Sequence, residues 1–146
     1  MSDVEIVTVH SVDDGLLADV QRLHTQVSSS GAPTANELAA IVAGPGTVLL
    51  VARQRMAPRA IKGMLTIVTF RILSGLRVWI EDVVVDEAAR RQGIGEALNR
   101  AAIGYARSLG ARTVELSSRP TRVAANKLYR KLGFERRNTN VYRLTF

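Results

Sequence analysis

Two carboxylates in the middle of an apolar segment are the first residues in this sequence that could carry chemistry. Val78–Val85 is apolar except for Glu81 and Asp82, and this pattern predicts a nearly continuous buried strand. Burying an ionised carboxylate without a partner is costly, so each acid needs an ion pair, a water-filled cleft or a role in proton transfer. Strand alternation predicts that the two acids lie on opposite faces. Structural salt bridges and acid–base chemistry are both open on this evidence.

A glycine-containing loop follows the strand and leads into a predicted helix. Its residues are Arg90-Arg91-Gln92-Gly93-Ile94-Gly95-Glu96. The N-terminus of a helix exposes unpaired N–H groups and a positive dipole end, and glycines let an anion approach the backbone closely. The two arginines add positive charge. The loop is therefore predicted to hold a diphosphate, although it lacks the Gly-Lys-Ser/Thr ending of a P-loop, and Leu98 replaces the third glycine of a dinucleotide fingerprint.

The elements that must position these residues follow from hydrophobic periodicity and from capping residues. Helices are predicted to begin at the capping segment Ser11–Asp14 and at Thr34, and to cover Gln92–Leu109 and Thr121–Leu132. The seven predicted strands are Val4–His10, Thr47–Gln54, Ile61–Leu73, Arg77–Val85, Thr113–Ser118, Phe134–Arg137 and Val141–Phe146. No repeat or linker interrupts this order, so the sequence predicts one mixed α/β domain over residues 1–146.

Composition restricts the chemistry further. The chain has 146 residues, of which 47% are hydrophobic and 23% charged, as in an ordinary globular domain. It has no cysteine, which excludes disulfides, a thiolate nucleophile, a covalent acyl-cysteine intermediate and a cysteine-containing zinc site. Only two histidines are present, His10 and His24. They are too few and too scattered to predict a histidine-built metal site, and no metal is expected.

The positive charge is concentrated at the end of the chain. The formal net charge is +7, and residues 119–146 contain eight basic residues against one acid, Glu135. A local cationic surface attracts a phosphorylated cosubstrate, an acidic substrate or nucleic acid. A solvated basic helix face is the other interpretation of the same charge.

No membrane or targeting segment is predicted. The first residues are acidic and lack a basic and then apolar leader pattern. The longest apolar segments, such as Val48–Ala52, are far shorter than the ~20 residues that cross a bilayer. We therefore expect a cytoplasmic protein without a membrane partner.

At this point the sequence resembles the GNAT superfamily of acyl-CoA-dependent N-acyltransferases. The family's Arg/Gln-x-x-Gly-x-Gly/Ala signature is matched by Arg90–Gly95, which follows an apolar strand and opens an amphipathic helix. A second family element, an Asn-x-x-Tyr helix ending in Gly-Phe, is matched by Asn126, Tyr129 and Gly133-Phe134. The motif-bearing resemblance spans about Val78–Phe134. Residues 1–77 fit the family's element order without a diagnostic motif.

The resemblance implies a fold and a cosubstrate. The fold is a single GNAT-like domain with a central, mostly antiparallel mixed sheet of about seven strands, of which the fourth and fifth diverge, flanked by about four helices. The cosubstrate is acetyl-CoA. Its diphosphate is expected at the backbone of Gln92–Glu96 beside Arg90 and Arg91, and its pantetheine arm along Val83–Val85. Val83 N–H is the favoured donor to the thioester carbonyl, and Val84 lies between the two contacting residues.

The implied reaction is direct acetyl transfer to an amine within a ternary complex. An alkylammonium with a pKa near 10.4 is almost wholly protonated at neutrality, so a base or a water relay assists. Glu81 is the first candidate base and Asp82 the second, and a bulge in the strand would exchange their faces. The resemblance implies that Tyr129 protonates the leaving thiolate and that Asn126 binds the cosubstrate arm. A core tyrosine and an exposed helix asparagine are the alternative interpretations.

Other functions and partners are also considered. A non-catalytic regulatory module that binds CoA or another polyanion would need neither Tyr129 nor an acid at position 81 or 82. Nucleic-acid binding is disfavoured because aromatic residues make up only 5% of the chain and no RNA-binding motif is present. Arg136 and Arg137 near the expected acceptor rim lead us to expect a small amine that carries an anionic group. Dimers are common in the family, so a homodimer is also considered.

Overall fold

The computed structural model describes residues 3–146, and the chain divides into two compact units at the Leu116–Ser117 boundary. The first unit contains one sheet and three α-helices. Its strands are β1 (Val4–Thr8), β2 (Thr47–Gln54), β3 (Ile61–Ile72), β4 (Gly75–Val85) and β5 (Thr113–Glu115). Its helices are α1 (Asp14–Thr25), α2 (Ala35–Ala43) and α3 (Ile94–Ser108), with one 3-10 turn at Glu87–Ala89. The second unit contains α4 (Val123–Lys131).

The five strands form one sheet in the order β1-β2-β3-β4-β5. The first three pairings are antiparallel, and β4 pairs with β5 in parallel. The prediction of a mixed, mostly antiparallel sheet with four helices is confirmed. The prediction of about seven strands is wrong, because the described residues form five.

The two missing strands are the predicted closing strands Phe134–Arg137 and Val141–Phe146. Residues 134–146 have no regular secondary structure, and Val141, Tyr142, Leu144 and Phe146 are exposed. Apolar alternation marks a segment that could form a strand, but a strand also needs a paired neighbour for its backbone groups. A two-stranded hairpin by itself is at best marginally stable in water, so the pattern alone does not produce strands here.

Helices α1 and α2 begin at capping residues within the segments that the sequence predicts. The Asp13 carboxylate accepts a hydrogen bond from Leu16 N at 2.7 Å, at the start of α1. At the start of α2, Thr34 and Glu37 form a reciprocal capping box. These side chains satisfy backbone N–H groups that would otherwise be unpaired, which explains why each helix starts where it does.

The core lies on both faces of the sheet. Leu49, Val51 and Met64 pack with residues of α1 and α2 on one face, in a cluster that also includes Val84. The opposite face packs against α3, whose Ile94 and Leu98 are buried. Gly63 makes this contact close, because a Cβ at that position would lie 2.9 Å from Ile94 Cγ2. The packing therefore fixes the position of the first turn of α3 on the sheet.

Candidate active site

A β-bulge lies in β4 at the two candidate acids. Glu81 pairs with Thr66 and Val84 pairs with Met64, so two residues of β4, Asp82 and Val83, stand opposite one residue of β3. Asp82 has a left-handed φ of 54°. The bulge breaks simple alternation, and Asp82 lines a cleft together with Thr66, the residue opposite Glu81. The prediction that the two acids lie on opposite faces is therefore wrong, and the bulge is the reason.

Both acids are exposed rather than buried. Glu81 Oε1 accepts a hydrogen bond from Trp79 Nε1 at 2.7 Å. Within residues 3–146 no salt bridge engages Glu81 or Asp82. The expectation of a continuously buried strand is corrected at these two positions. Of the two interpretations of the acids, structural ion pairing finds no support in the described residues.

The cleft lined by Asp82 runs between the sheet and the first two helices. It has about 40 Å³ of interior space, and we call it the His24–Asp82 cleft. Its polar lining consists of His24, Thr66 and Asp82, and its apolar lining is Val20, Pro33, Leu38, Ile41, Leu49 and Met64. His24 Nδ1 is buried and has no hydrogen-bond partner among the described residues. The sequence favours a surface or cap position for His24 over an acceptor-site role and gives no signal for Thr66, since nothing in their local pattern indicates that they converge.

The edge of β4 beyond the bulge has no neighbour in β5. Pairing between the two strands covers only Arg77–Trp79 against Thr113–Glu115, whereas β4 continues to Val85. The pairing stops where β5 ends at Glu115, and the predicted divergence of the fourth and fifth strands stays a prediction. Val84 is buried in the core cluster, whereas Val83 and Val85 are half-buried.

The loop after β4 presents an uncapped helix N-terminus. Gly93 is the N-cap of α3, has a left-handed φ of 78° and makes no side-chain capping bond. Nothing lies within 4 Å of where its Cβ would be. The loop residues Arg90, Arg91 and Gln92 are exposed, Arg91 has a φ of 65°, and Ile94 is buried beneath them. The N–H groups of the first turn are thus available to an anion.

The start of this loop is fixed by a polar cluster that sequence reasoning missed. Asp86 Oδ2 accepts a hydrogen bond from Arg22 Nη1 at 2.7 Å, and Asp86 Oδ1 accepts one from Gln26 Nε2 at 3.3 Å. Burial by itself would raise the pKa of Asp86, but hydrogen bonds from Arg22, the Ala88 N–H and Gln26 outweigh it and lower the pKa. The cluster ties α1 to the loop. The only feature of the sequence that points to this cluster is the position of Asp86 directly after a strand.

In the second unit, Tyr129 and Asn126 lie one turn apart on α4. Tyr129 is buried, and its ring packs edge-on against Phe134 with centroids 5.8 Å apart. Burial raises the pKa of the Tyr129 phenol, and Arg122 opposes that shift only in part. Asn126 Nδ2 donates to the Arg119 carbonyl at 2.9 Å. The phenol is therefore protonated at neutral pH, and the asparagine amide has a structural partner within its own unit.

The chain is similar to a known protein family and to several solved structures. The model of the acetyltransferase (GNAT) family matches residues 29–134. A Trypanosoma brucei acetyltransferase structure is 27% identical with a TM-score of 0.81, covering 99% of this chain and 100% of the other. An aminoglycoside acetyltransferase from an uncultured soil metagenomic sample, solved with trehalose, is 20% identical with a TM-score of 0.83, covering 99% and 97%.

A third similar structure contains a coenzyme A derivative. It is AAC(6')-Iy in complex with the bisubstrate analogue CoA-S-monomethyl-acetylneamine, 21% identical with a TM-score of 0.75, covering 99% of this chain and 100% of the other. No curated protein sequence matches this chain significantly. Within residues 3–146, no helix is both long enough and apolar enough to span a bilayer.

Proposed function

This chain belongs to the GNAT acetyltransferase family, and from that premise we propose that it transfers an acetyl group from acetyl-CoA to the primary amine of a small acceptor. The proposal treats residues 1–146 as one catalytic domain that acts by direct transfer in a ternary complex. One observation carries it: one loop joins β4, which carries two exposed carboxylates at and beside a bulge, to the uncapped N-terminus of α3.

The residues at the start of α3 suit the diphosphate of acetyl-CoA. The N–H groups from Gln92 to Glu96 lie at the positive end of a helix of 15 residues. Gly93 leaves open space at the backbone, and the exposed Arg90 and Arg91 add two positive charges. The thioester that this cosubstrate carries supplies an activated acetyl group, and the chain's residues supply binding, orientation and proton transfer.

The unpaired edge of β4 suits the acyl end of the same cosubstrate. Val83 lies at the bulge and Val85 at the end of the strand, on the part of β4 that β5 does not cover. We assign the Val83 N–H to the thioester carbonyl, where a preorganised donor stabilises developing negative charge by roughly 3–4 kcal/mol. Asn126 is assigned to the pantetheine arm.

The proposed reaction forms a nitrogen–carbon bond and breaks a carbon–sulfur bond, with atoms and charge conserved. The acceptor ammonium loses a proton, its nitrogen forms a bond to the acetyl carbon, and the carbon–sulfur bond breaks. The products are an N-acetyl amine, CoA thiol and one proton. Asp82 and Glu81 are the candidate bases: Asp82 lines the His24–Asp82 cleft, and Glu81, held by Trp79, is exposed enough to act through water. Tyr129, kept protonated by its raised pKa, is assigned as the donor to the thiolate.

The decisive experiment measures acetyl-CoA binding by calorimetry and then acetyl transfer to a panel of primary amines. We expect binding together with amine-dependent release of CoA. Binding without transfer to any amine would favour a non-catalytic CoA-binding module instead. Glu81→Gln and Asp82→Asn, compared under the same conditions, identify the base as the variant with the larger loss of kcat.

A further inference from the structure

We propose that the His24–Asp82 cleft is the acceptor site and that its substrate is a primary amine with a compact apolar substituent. The ammonium would lie at the Asp82 carboxylate, and the substituent would lie among the apolar side chains. This inference rests on the proposed function and specifies the chemical class of its acceptor.

The first argument is the lining of the cleft. Six of its nine lining residues are apolar, and the remaining three are His24, Thr66 and Asp82. Asp82 supplies the only carboxylate of the lining, and no lysine or arginine is among the nine. A single anion in a mostly apolar cleft suits one cationic group attached to a hydrocarbon, because a further charged group among the apolar side chains would lose its water without gaining a partner.

The second argument is that the Asp82 carboxylate is exposed and has no salt bridge within residues 3–146. A carboxylate without a cation from the chain can pair with a ligand ammonium.

The third argument is position along β4. Asp82 directly precedes Val83, the residue assigned to the thioester carbonyl, and both belong to the same bulge. An amine bound by the Asp82 carboxylate would therefore lie next to the residue that is assigned to the thioester carbonyl. Without the bulge, Asp82 would share the face of its neighbours Ile80 and Val84 by alternation alone.

Size limits the substituent. The cleft has about 40 Å³ of interior space, which holds roughly three water-sized groups. A substituent of a few carbons would occupy this interior, whereas a sugar ring or a peptide would lie largely outside it. An amine bearing a phosphate or carboxylate, as Arg136 and Arg137 suggested, would find no cation in the lining.

The test compares three amines with the full chain and acetyl-CoA: 2-methylpropylamine, glucosamine 6-phosphate and an aminoglycoside. We expect kcat/KM for 2-methylpropylamine to exceed the other two by about tenfold or more. Acetyl-CoA binding with preferred acetylation of the phosphate-bearing or polycationic amine would overturn this inference and leave the proposed function standing. No acetylation of any amine would overturn both.

A second measurement does not depend on turnover. The chain has two histidines, and His10 is exposed, so it serves as an internal control in NMR spectra of the imidazole rings. With CoA present, titration with 2-methylpropylamine should shift the His24 signals saturably and leave those of His10 unchanged. Unmoved His24 signals at saturating amine contradict the proposal.

Cleft size is tested by a matched pair of variants on α2. Ile41→Ala enlarges the lining, whereas Val42→Ala removes a similar side chain from the next position, outside the lining. Ile41→Ala should raise the ratio of kcat/KM for 2-phenylethylamine over 2-methylpropylamine by about tenfold, and Val42→Ala should leave that ratio unchanged. Equal ratios in both variants would show that the substituent does not enter the cleft.

Discussion

Arg22 and Asp86 join helix α1 to the first residue of the loop that precedes α3. Arg22 Nη1 lies 2.7 Å from Asp86 Oδ2, and the Asp86 side chain is only 9% exposed. The second nitrogen of the guanidinium donates to the Ile61 carbonyl at 3.1 Å. One side chain of α1 therefore holds both the first residue of β3 and the start of the loop assigned to the diphosphate.

Arg22→Met is expected to lower the free energy of unfolding by about 1–2 kcal/mol, because it leaves the buried Asp86 carboxylate without its cation. The loss is no larger because solvent already screens the half-exposed guanidinium in the wild type. Urea denaturation measures the change. Arg55→Met is the matched control: its partner Glu5 is 3.8 Å away and its side chain is 57% exposed, so its loss should be small. Similar losses in both variants would contradict a structural role for the Arg22–Asp86 pair.

Asp86 should also make stability depend on pH. Its folded-state pKa is lowered by Arg22, the Ala88 N–H and Gln26 despite burial, so it contributes stability that is present above the ordinary pKa of an aspartate. That contribution is lost as pH falls through the lowered folded-state pKa. The stability difference between wild type and Asp86→Asn should therefore shrink below about pH 4. A constant difference from pH 6 to pH 2 in urea titrations would refute this.

Gly63→Ala is expected to weaken acetyl-CoA binding by displacing the first turn of α3. The added Cβ would lie 2.9 Å from Ile94 Cγ2 and 3.1 Å from the Val84 carbonyl oxygen, so the first turn of α3 must move from the sheet, at a cost of about 1–3 kcal/mol. Gly104→Ala in the same helix meets nothing within 4 Å and should stabilise by up to about 1 kcal/mol. Calorimetry should show weaker binding for Gly63→Ala alone.

Alanine variants of two glycines at opposite ends of α3 distinguish the effect of backbone strain on stability from an effect on ligand binding. Gly93 and Gly110 have left-handed φ values of 78° and 74°, and neither has an atom near its Cβ position. Alanine at either position should therefore cost about 1–2 kcal/mol of stability. Only Gly93→Ala should also weaken acetyl-CoA binding, because only that residue precedes the exposed N–H groups. Equal affinities in the two variants would remove Gly93 from the site.

Tyr129→Phe should lower kcat by about 100-fold while the KM for acetyl-CoA changes little, since the variant loses a general acid and keeps the ring. The edge-on contact with Phe134 needs only the ring, so thermal stability should remain close to wild type. Steady-state kinetics and a thermal melt check both parts. Unchanged turnover would mean that water protonates the thiolate.

Local chemistry was readable from the sequence because it depends on neighbours along the chain. The capping residues Asp13 and Thr34, the boundaries of β2 and the glycine-bearing start of α3 all follow from short-range patterns, and the structure has them. The order of helices and strands follows from the same patterns, whereas the mixed sheet was expected from the family resemblance.

Tertiary structure decided everything that depends on which residues meet across the chain. The bulge at Asp82 is a property of the register between β3 and β4. The alternation of residues along β4 alone does not predict it. The His24–Asp82 cleft brings α1, β3 and β4 together, and Arg22 and Asp86 are 64 residues apart in sequence. Residues 134–146 show the converse: they have an apolar strand pattern but no regular secondary structure, because a strand exists only where another backbone accepts its hydrogen bonds.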